Sequence, residues 1–124
     1  MTPAKLSKVV VIVDPNNRRA RGLVAALEAP KRVVRATDDP IRALGMMREI
    51  LVDVLVAEMD MEFVNGYALI TAARRQQANL KAFLTVGTPE DMQFAIGAGV
   101  DHFVRPYDLN SVKRAVARAL REEI

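Results

Sequence analysis

Asp53-Val54-Leu55-Val56-Ala57-Glu58, followed by Met59-Asp60-Met61-Glu62-Phe63-Val64 and the turn signal Asn65-Gly66, is the stretch that decides the fold. The apolar residues Val54 to Ala57 in succession read as a strand buried on both faces, as in a parallel sheet. The run ends on one acid, Glu58. An acid at the carboxyl end of such a strand lies at the rim where open α/β sheets bind ligands. The candidate site is therefore read around Glu58.

Upstream, Lys8 to Val13 predicts a first strand ending at Asp14-Pro15. Asn16 or Asn17 can cap the helix that follows; its apolar face is Ala20, Leu23, Val24 and Leu27, and Pro30 stops it. Arg32 to Ala36 predicts a second strand. Asp39-Pro40 supplies a cap and a proline at the first helical position, with Ile41, Leu44, Met47 and then Leu51 as the buried stripe. Downstream, a third helix starts near Gly66, with Leu69, Ile70 and Ala73 inward and Arg74, Arg75, Gln76 and Gln77 outward. Lys81 to Val86 predicts the fourth strand. Thr88-Pro89 opens a helix carrying Met92, Phe94, Ala95 and Ile96, which Gly97 and Gly99 end. Asp101 to Val104 is a short fifth strand, and Asp108 caps a last helix with Leu109, Val112, Val116 and Leu120 inward. A strand–helix unit repeated five times without a linker predicts one domain over residues 1–124. Its architecture is α/β, a doubly wound parallel sheet with helices on both faces and right-handed crossovers.

Composition narrows the function. With no cysteine, a disulfide scaffold and a zinc ribbon are excluded, which suits the cytoplasm. The longest fully apolar run, Val9 to Val13, falls far short of the ~20 residues of a membrane helix. Lys5 and Lys8 precede no long apolar segment, so no signal peptide is expected. Eighteen basic against fifteen acidic residues give a net charge of +3, too small to argue for nucleic acid. The absence of tryptophan leaves few platforms for stacking bases. His102 is the only histidine and Ser7 and Ser111 are the only serines, so no serine–histidine–acid set is expected. Gly97-Ala98-Gly99 ends a helix where a phosphate loop would open one. The chain is expected not to be an enzyme.

The ordered features Val13-Asp14, Asp53 to Glu58 with Met59 and Met61, Asn65-Gly66, Ala98-Gly99-Val100-Asp101 and Arg105-Pro106-Tyr107-Asp108 resemble a receiver domain of bacterial two-component response regulators. The resemblance covers nearly the whole chain. It implies the CheY-like, flavodoxin-like sheet with strand order 2-1-3-4-5. It also implies phosphoryl transfer to an aspartate ending the third strand, a position that Glu58 occupies here. Such a carboxylate needs a divalent cation and positive donors to offset the charge that accumulates. In the family, acids after the first strand and a carbonyl two residues past the phosphoacceptor hold Mg²⁺; these positions fall on Asp14, Pro15 and Asp60.

This sequence departs from that pattern. Glu58 is one methylene longer than aspartate, and in-line attack tolerates little misplacement. Pro15 removes a carboxylate, leaving at most a weak Mg²⁺ site at Asp14, Glu58 and Asp60; otherwise no cofactor is expected. Arg105 stands for the family's lysine and keeps the charge with another geometry. Thr85 or Val86 falls at the hydroxyl position, and His102 or Phe103 at the aromatic switch. Glu58 reads either as a rim acid paired with Arg105 or as an imitation of a phosphorylated aspartate. Met59 and Met61 are read as packing over it. The resemblance also implies a face of the fourth helix, fifth strand and fifth helix that docks partners or a second copy. Met92, Phe94, Phe103 and Tyr107 belong to it.

Arginine is clustered: Arg18, Arg19 and Arg21 open the first helix, Lys31, Arg32 and Arg35 flank the second strand, and Arg114, Arg118 and Arg121 fall at helical spacing on the last. The plain reading is a solvated face paired locally with Glu122 or Glu123. The sharper one is an anion site at Arg114, Arg118, Arg121, Arg18 and Arg21, since arginine suits phosphates and flat bases, as in a cyclic dinucleotide. Three functions follow: a degenerate receiver acting through a signalling protein partner, a receiver gated by such a nucleotide, and a conventional Mg²⁺-dependent phosphoacceptor. Neither nucleic acid nor a membrane is an expected partner.

Overall fold

A computed structural model describes residues 7–122. Strands β1 (Lys8–Val13), β2 (Arg32–Thr37), β3 (Val54–Glu58), β4 (Lys81–Val86) and β5 (His102–Val104) alternate with helices α1 (Asn17–Leu27), α2 (Pro40–Glu49), α3 (Gly66–Gln76), α4 (Pro89–Ala98) and α5 (Leu109–Ala119). All strand pairs are parallel, in the order β2-β1-β3-β4-β5. The expected fold is the observed one. β3 is central and buried along all five residues, which is why its sequence is an unbroken apolar run ending in a single acid.

Strand alternation sends Val10, Ile12, Val54 and Val56 to one face, where Leu23 and Leu27 of α1 and Val112 and Val116 of α5 cover them. Val11, Val13, Leu55 and Ala57 go to the other, against Ala43 and Met47 of α2, Leu69, Ile70 and Ala73 of α3, and Ala95 of α4. Every helix starts on a side-chain cap. Asn16, Asp39, Asn65, Thr88 and Asp108 accept backbone N–H groups of the first turn.

Helix phase is where the pattern misleads. In α2 the buried residues are Ala43 and Met47, whereas Ile41 and the following Leu51 are exposed. In α4 only Ala95 is buried, and Phe94 and Ile96 face outward; Leu109 of α5 is also exposed. Gln77 does not point away. Its amide accepts from Val52 N at 2.9 Å and donates to Met47 and Ile50 carbonyls at 2.9 and 2.7 Å, tying the α2–β3 loop to α3. Asp53 precedes β3, its carboxylate accepting from Val9 N at 2.7 Å. Gly66 must be glycine, because a Cβ there would lie 2.4 Å from the Glu58 carbonyl oxygen. That contact brings the start of α3 against the carboxyl end of β3.

Candidate functional site

Parallel pairing aligns the carboxyl ends of β1, β3 and β4. Val13 lies beside Ala57, and Glu58 beside Thr85. Asp14 follows β1 directly, so its carboxylate and that of Glu58 converge, 2% and 1% exposed. Two buried carboxylates this close demand compensation.

Two arginines supply it. Asn16 caps α1 with its oxygen on Arg19 N, which aims the first turn back at the sheet rim. From there the Arg19 guanidinium forks onto Asp14, Nε to Oδ2 at 3.0 Å and Nη2 to Oδ1 at 3.1 Å. The same Nη2 lies 3.6 Å from Glu58 Oε1. From the far side, Arg105 Nη1 donates to Glu58 Oε1. Gly87 makes room for it, since a Cβ there would meet Arg105 Nη2 at 2.3 Å. Thr85 Oγ1 donates to Glu58 Oε1 at 3.2 Å and Asp60 N to Oε2 at 2.9 Å. Asn16 N donates to Asp14 Oδ1 at 2.8 Å. Charge in the pocket therefore sums to zero within the protein itself.

The electrostatics follow. The hydrogen bond to Asp14 holds the Arg19 guanidinium above its ordinary range; burial opposes this, and the charges of Asp14 and Glu58 add to it. The Tyr107 phenol is pushed above its ordinary value chiefly by burial, then by the negative charge of Asp14, while Arg19 and Arg105 pull it down. Tyr107, which the resemblance led one to expect on a partner surface, thus also feels the charges of the pocket.

The donor set does not fit a divalent cation. Both Asp14 oxygens are engaged, Asp60 is an exposed residue, and among the described residues no three of His, Asp or Glu group to hold a metal ion. Arg19 Nη2 stands between the carboxylates of Asp14 and Glu58, where a cation bridging the two would sit. Pro15 is exposed and contributes no carboxylate.

Of the open alternatives, Thr85 rather than Val86 reaches Glu58. The Phe103 ring stacks on Phe83 at 5.1 Å and meets Tyr107 at 6.4 Å, toward the α1/α5 side. His102 takes the opposite face by strand alternation, its Nδ1 3.1 Å from the Val100 carbonyl. Met92 is half-buried against the α2–α3–α4 core, and Phe94 meets Tyr67 edge-on at 5.0 Å. Met59 is buried and Met61 partly so, in the same core.

The arginine stripe breaks. α5 ends at Ala119, and Arg121 lies beyond it with φ of 58°. Arg118 and Arg121 border a groove of about 880 Å³ with His102 and Phe103, while Arg114 instead donates to Ser111 Oγ at 3.2 Å. Arg18 and Arg21 are exposed on α1 and do not line that groove. Glu122 pairs with Arg32 rather than with the stripe. Lys5 and Glu123 lie outside the described residues.

The sequence pattern alone does not single out Arg19, which reads as part of a solvated run with Arg18 and Arg21. The signal was present in the Asn16 cap. It puts the first helical turn over the end of β1, and Arg19 there is within reach of Asp14.

The model for the response regulator receiver domain matches residues 10–117. The chain belongs to this family. It is a receiver domain of two-component signalling, and none of the curated proteins compared matches it. Among solved structures it is similar to the receiver domain of Francisella response regulator 1452, with 18% identity over 93% of this chain and 98% of that one, TM-score 0.80. A putative response regulator from Chloroflexus aurantiacus gives 20% identity over 94% and 99%, TM-score 0.81. Vibrio cholerae chemotaxis protein CheY4 gives 18% over 91% and 98%, TM-score 0.76. At such identities the likeness speaks for the fold alone. No helix among the described residues is long and apolar enough to cross a membrane.

Proposed function

We propose that this receiver signals through protein contact without forming an acyl phosphate. The observation that carries this reading is Arg19, whose guanidinium bridges Asp14 and Glu58 and serves as a tethered cation between them. A carboxylate nucleophile needs an oxygen that is free and in line with the phosphorus. Glu58 is 1% exposed, and its oxygens already accept from Arg105, Thr85 and Asp60 N. With Arg19 and Arg105 balancing both acids, little electrostatic gain remains for Mg²⁺ or a phosphoryl group. The pocket then works as a fixed strut joining β1, β3, β4 and the β5–α5 turn.

Contact with a signalling partner falls to the α4–β5–α5 face, where Phe94, Ile96, Val104 and Leu109 are exposed. Their apolar surface suits burial on association. Incubation with acetyl phosphate and Mg²⁺, followed by intact-mass measurement, tests the reading. The unmodified mass is expected; stoichiometric phosphorylation mapping to Glu58 overturns it. A second reading rests on the groove shared by Arg118 and Arg121: an anionic nucleotide such as a cyclic dinucleotide binds there. Titration of that nucleotide should shift amides at the end of α5, and the absence of shifts removes it.

A further inference from the structure

The surfaces at the two ends of β3 carry opposite charge. After its carboxyl end, Phe63 stands fully exposed with φ of 68°. A bulky residue in the left-handed region is an outlier that glycine or asparagine would avoid. The loop around it is pinned at both ends: Asp60 N donates to Glu58 Oε2 at 2.9 Å, Gly66 N to the Met59 carbonyl at 3.0 Å and Val64 N to the Glu62 carbonyl at 2.7 Å. Asp60 and Glu62 flank the ring, both exposed, and residues 59–65 include no base. The loop is an apolar knob with an acidic rim.

Before the amino end of β3 lies an open groove of about 1040 Å³, lined by Lys8, Arg74, Lys81 and Arg121. Its one acid is Asp53, whose carboxylate accepts from Val9 N. Among the described residues Lys8, Lys81 and Arg121 enter no ion pair. Leu51, 67% exposed, stands in the wall.

We propose that the Phe63 loop of one copy docks in the basic groove of a second copy, head to tail. Both halves of the contact are present on one chain. Acids at 60 and 62 meet the ring of bases while Phe63 covers Leu51. An anionic membrane or a free phosphate seated on the groove leaves Phe63 and its flanking acids, at the other end of β3, in water. The surfaces differ and sit at opposite ends of one strand, so the contact is heterologous and can repeat. The proposal does not depend on whether Glu58 accepts a phosphoryl group.

Sedimentation of the full chain from about 10 µM to about 1 mM, the range of weak association, tests it, at about 0.05 M and about 0.5 M salt. The average mass should rise past the dimer at low salt and less at high salt. Phe63→Gly, which suits the local backbone, should weaken association at least tenfold. Asp60→Lys with Glu62→Lys reverses the knob, and Arg74→Glu with Lys81→Glu reverses the groove. Each double variant should stay monomeric alone, and an equal mixture of the two should associate again. A monomer at every concentration overturns the proposal. So does a species that stops at a dimer and is indifferent to Phe63→Gly, or a mixture that fails to associate.

Discussion

Removing Arg105 offers the sharpest test of what holds the pocket together. Arg105→Ala takes the main cation from a carboxylate that is 1% exposed. Breaking a fully buried pair by deleting one partner costs about 3–5 kcal/mol. Here the loss is smaller for two reasons. Arg105 is 25% exposed, so solvent already screens the pair. Arg19 also remains 3.6 Å from Glu58 Oε1, and Thr85 and Asp60 N keep their hydrogen bonds. About 2 kcal/mol is the expected cost, or about 8 °C in Tm for a domain of this size. Urea denaturation followed by circular dichroism, run as a double-mutant cycle with Glu58→Gln, isolates the pair. In the Glu58→Gln background Arg105→Ala should cost less than about 0.5 kcal/mol, leaving a coupling of about 1.5 kcal/mol. Equal costs in both backgrounds would place the energy in Arg105's packing rather than in its charge.

Other perturbations probe the neighbouring parts. Arg19→Ala exposes the two carboxylates to outside cations, so Mg²⁺ should shift the Asp14 and Glu58 amides in the variant and leave the unaltered protein unchanged. Tyr107 should ionise above the ordinary tyrosine range, seen as the 295 nm absorbance difference between the protein and Tyr107→Phe near pH ~10 and above. The sign follows from the raised folded value: Tyr107's contribution to stability is complete below its unfolded pKa and is lost as pH rises through the folded one. Alkaline destabilisation should thus be smaller in Tyr107→Phe, and phenolate formation at or below the ordinary range contradicts the burial argument. Gly66→Ala should destabilise by about 3 kcal/mol through overlap with the Glu58 carbonyl, whereas Phe63→Gly should stabilise by about 1 kcal/mol by relieving a left-handed backbone. Chemical denaturation of both variants checks the opposite signs.

Much of the molecule was legible in its sequence, for identifiable reasons. Strand boundaries followed from apolar runs bracketed by turn residues, and helix starts from a cap at Asn16 or Asn17, from Asp39-Pro40, Asn65-Gly66 and Thr88-Pro89, and from Asp108, because these signals are local. Glu58 could be placed at the sheet rim from its strand, whereas Asp14, Arg105 and Thr85 or Val86 were gathered around it by the resemblance to receiver domains; parallel pairing explains why they meet there. Helix phase was less legible. In α4, Met92, Phe94, Ala95 and Ile96 are all apolar, and only packing against the sheet decides that Ala95 turns inward. Ile41 and Leu51 look like core residues and are exposed, because Ala43 and Met47 already fill the space above β1 and β3. Arg19 was hidden by its neighbours. Three arginines within four residues read as a solvated face, and its partners lie on β1 and β3, five and thirty-nine positions away.

If internal cations close the pocket to phosphoryl chemistry, amide NMR of the unaltered chain titrated with Mg²⁺ and then beryllofluoride, which imitates a bound phosphoryl group, will show it. The amides of Asp14, Glu58 and Arg105 should not move. Saturable shifts at those three residues would contradict the account and return the chain to the phosphorylated receivers.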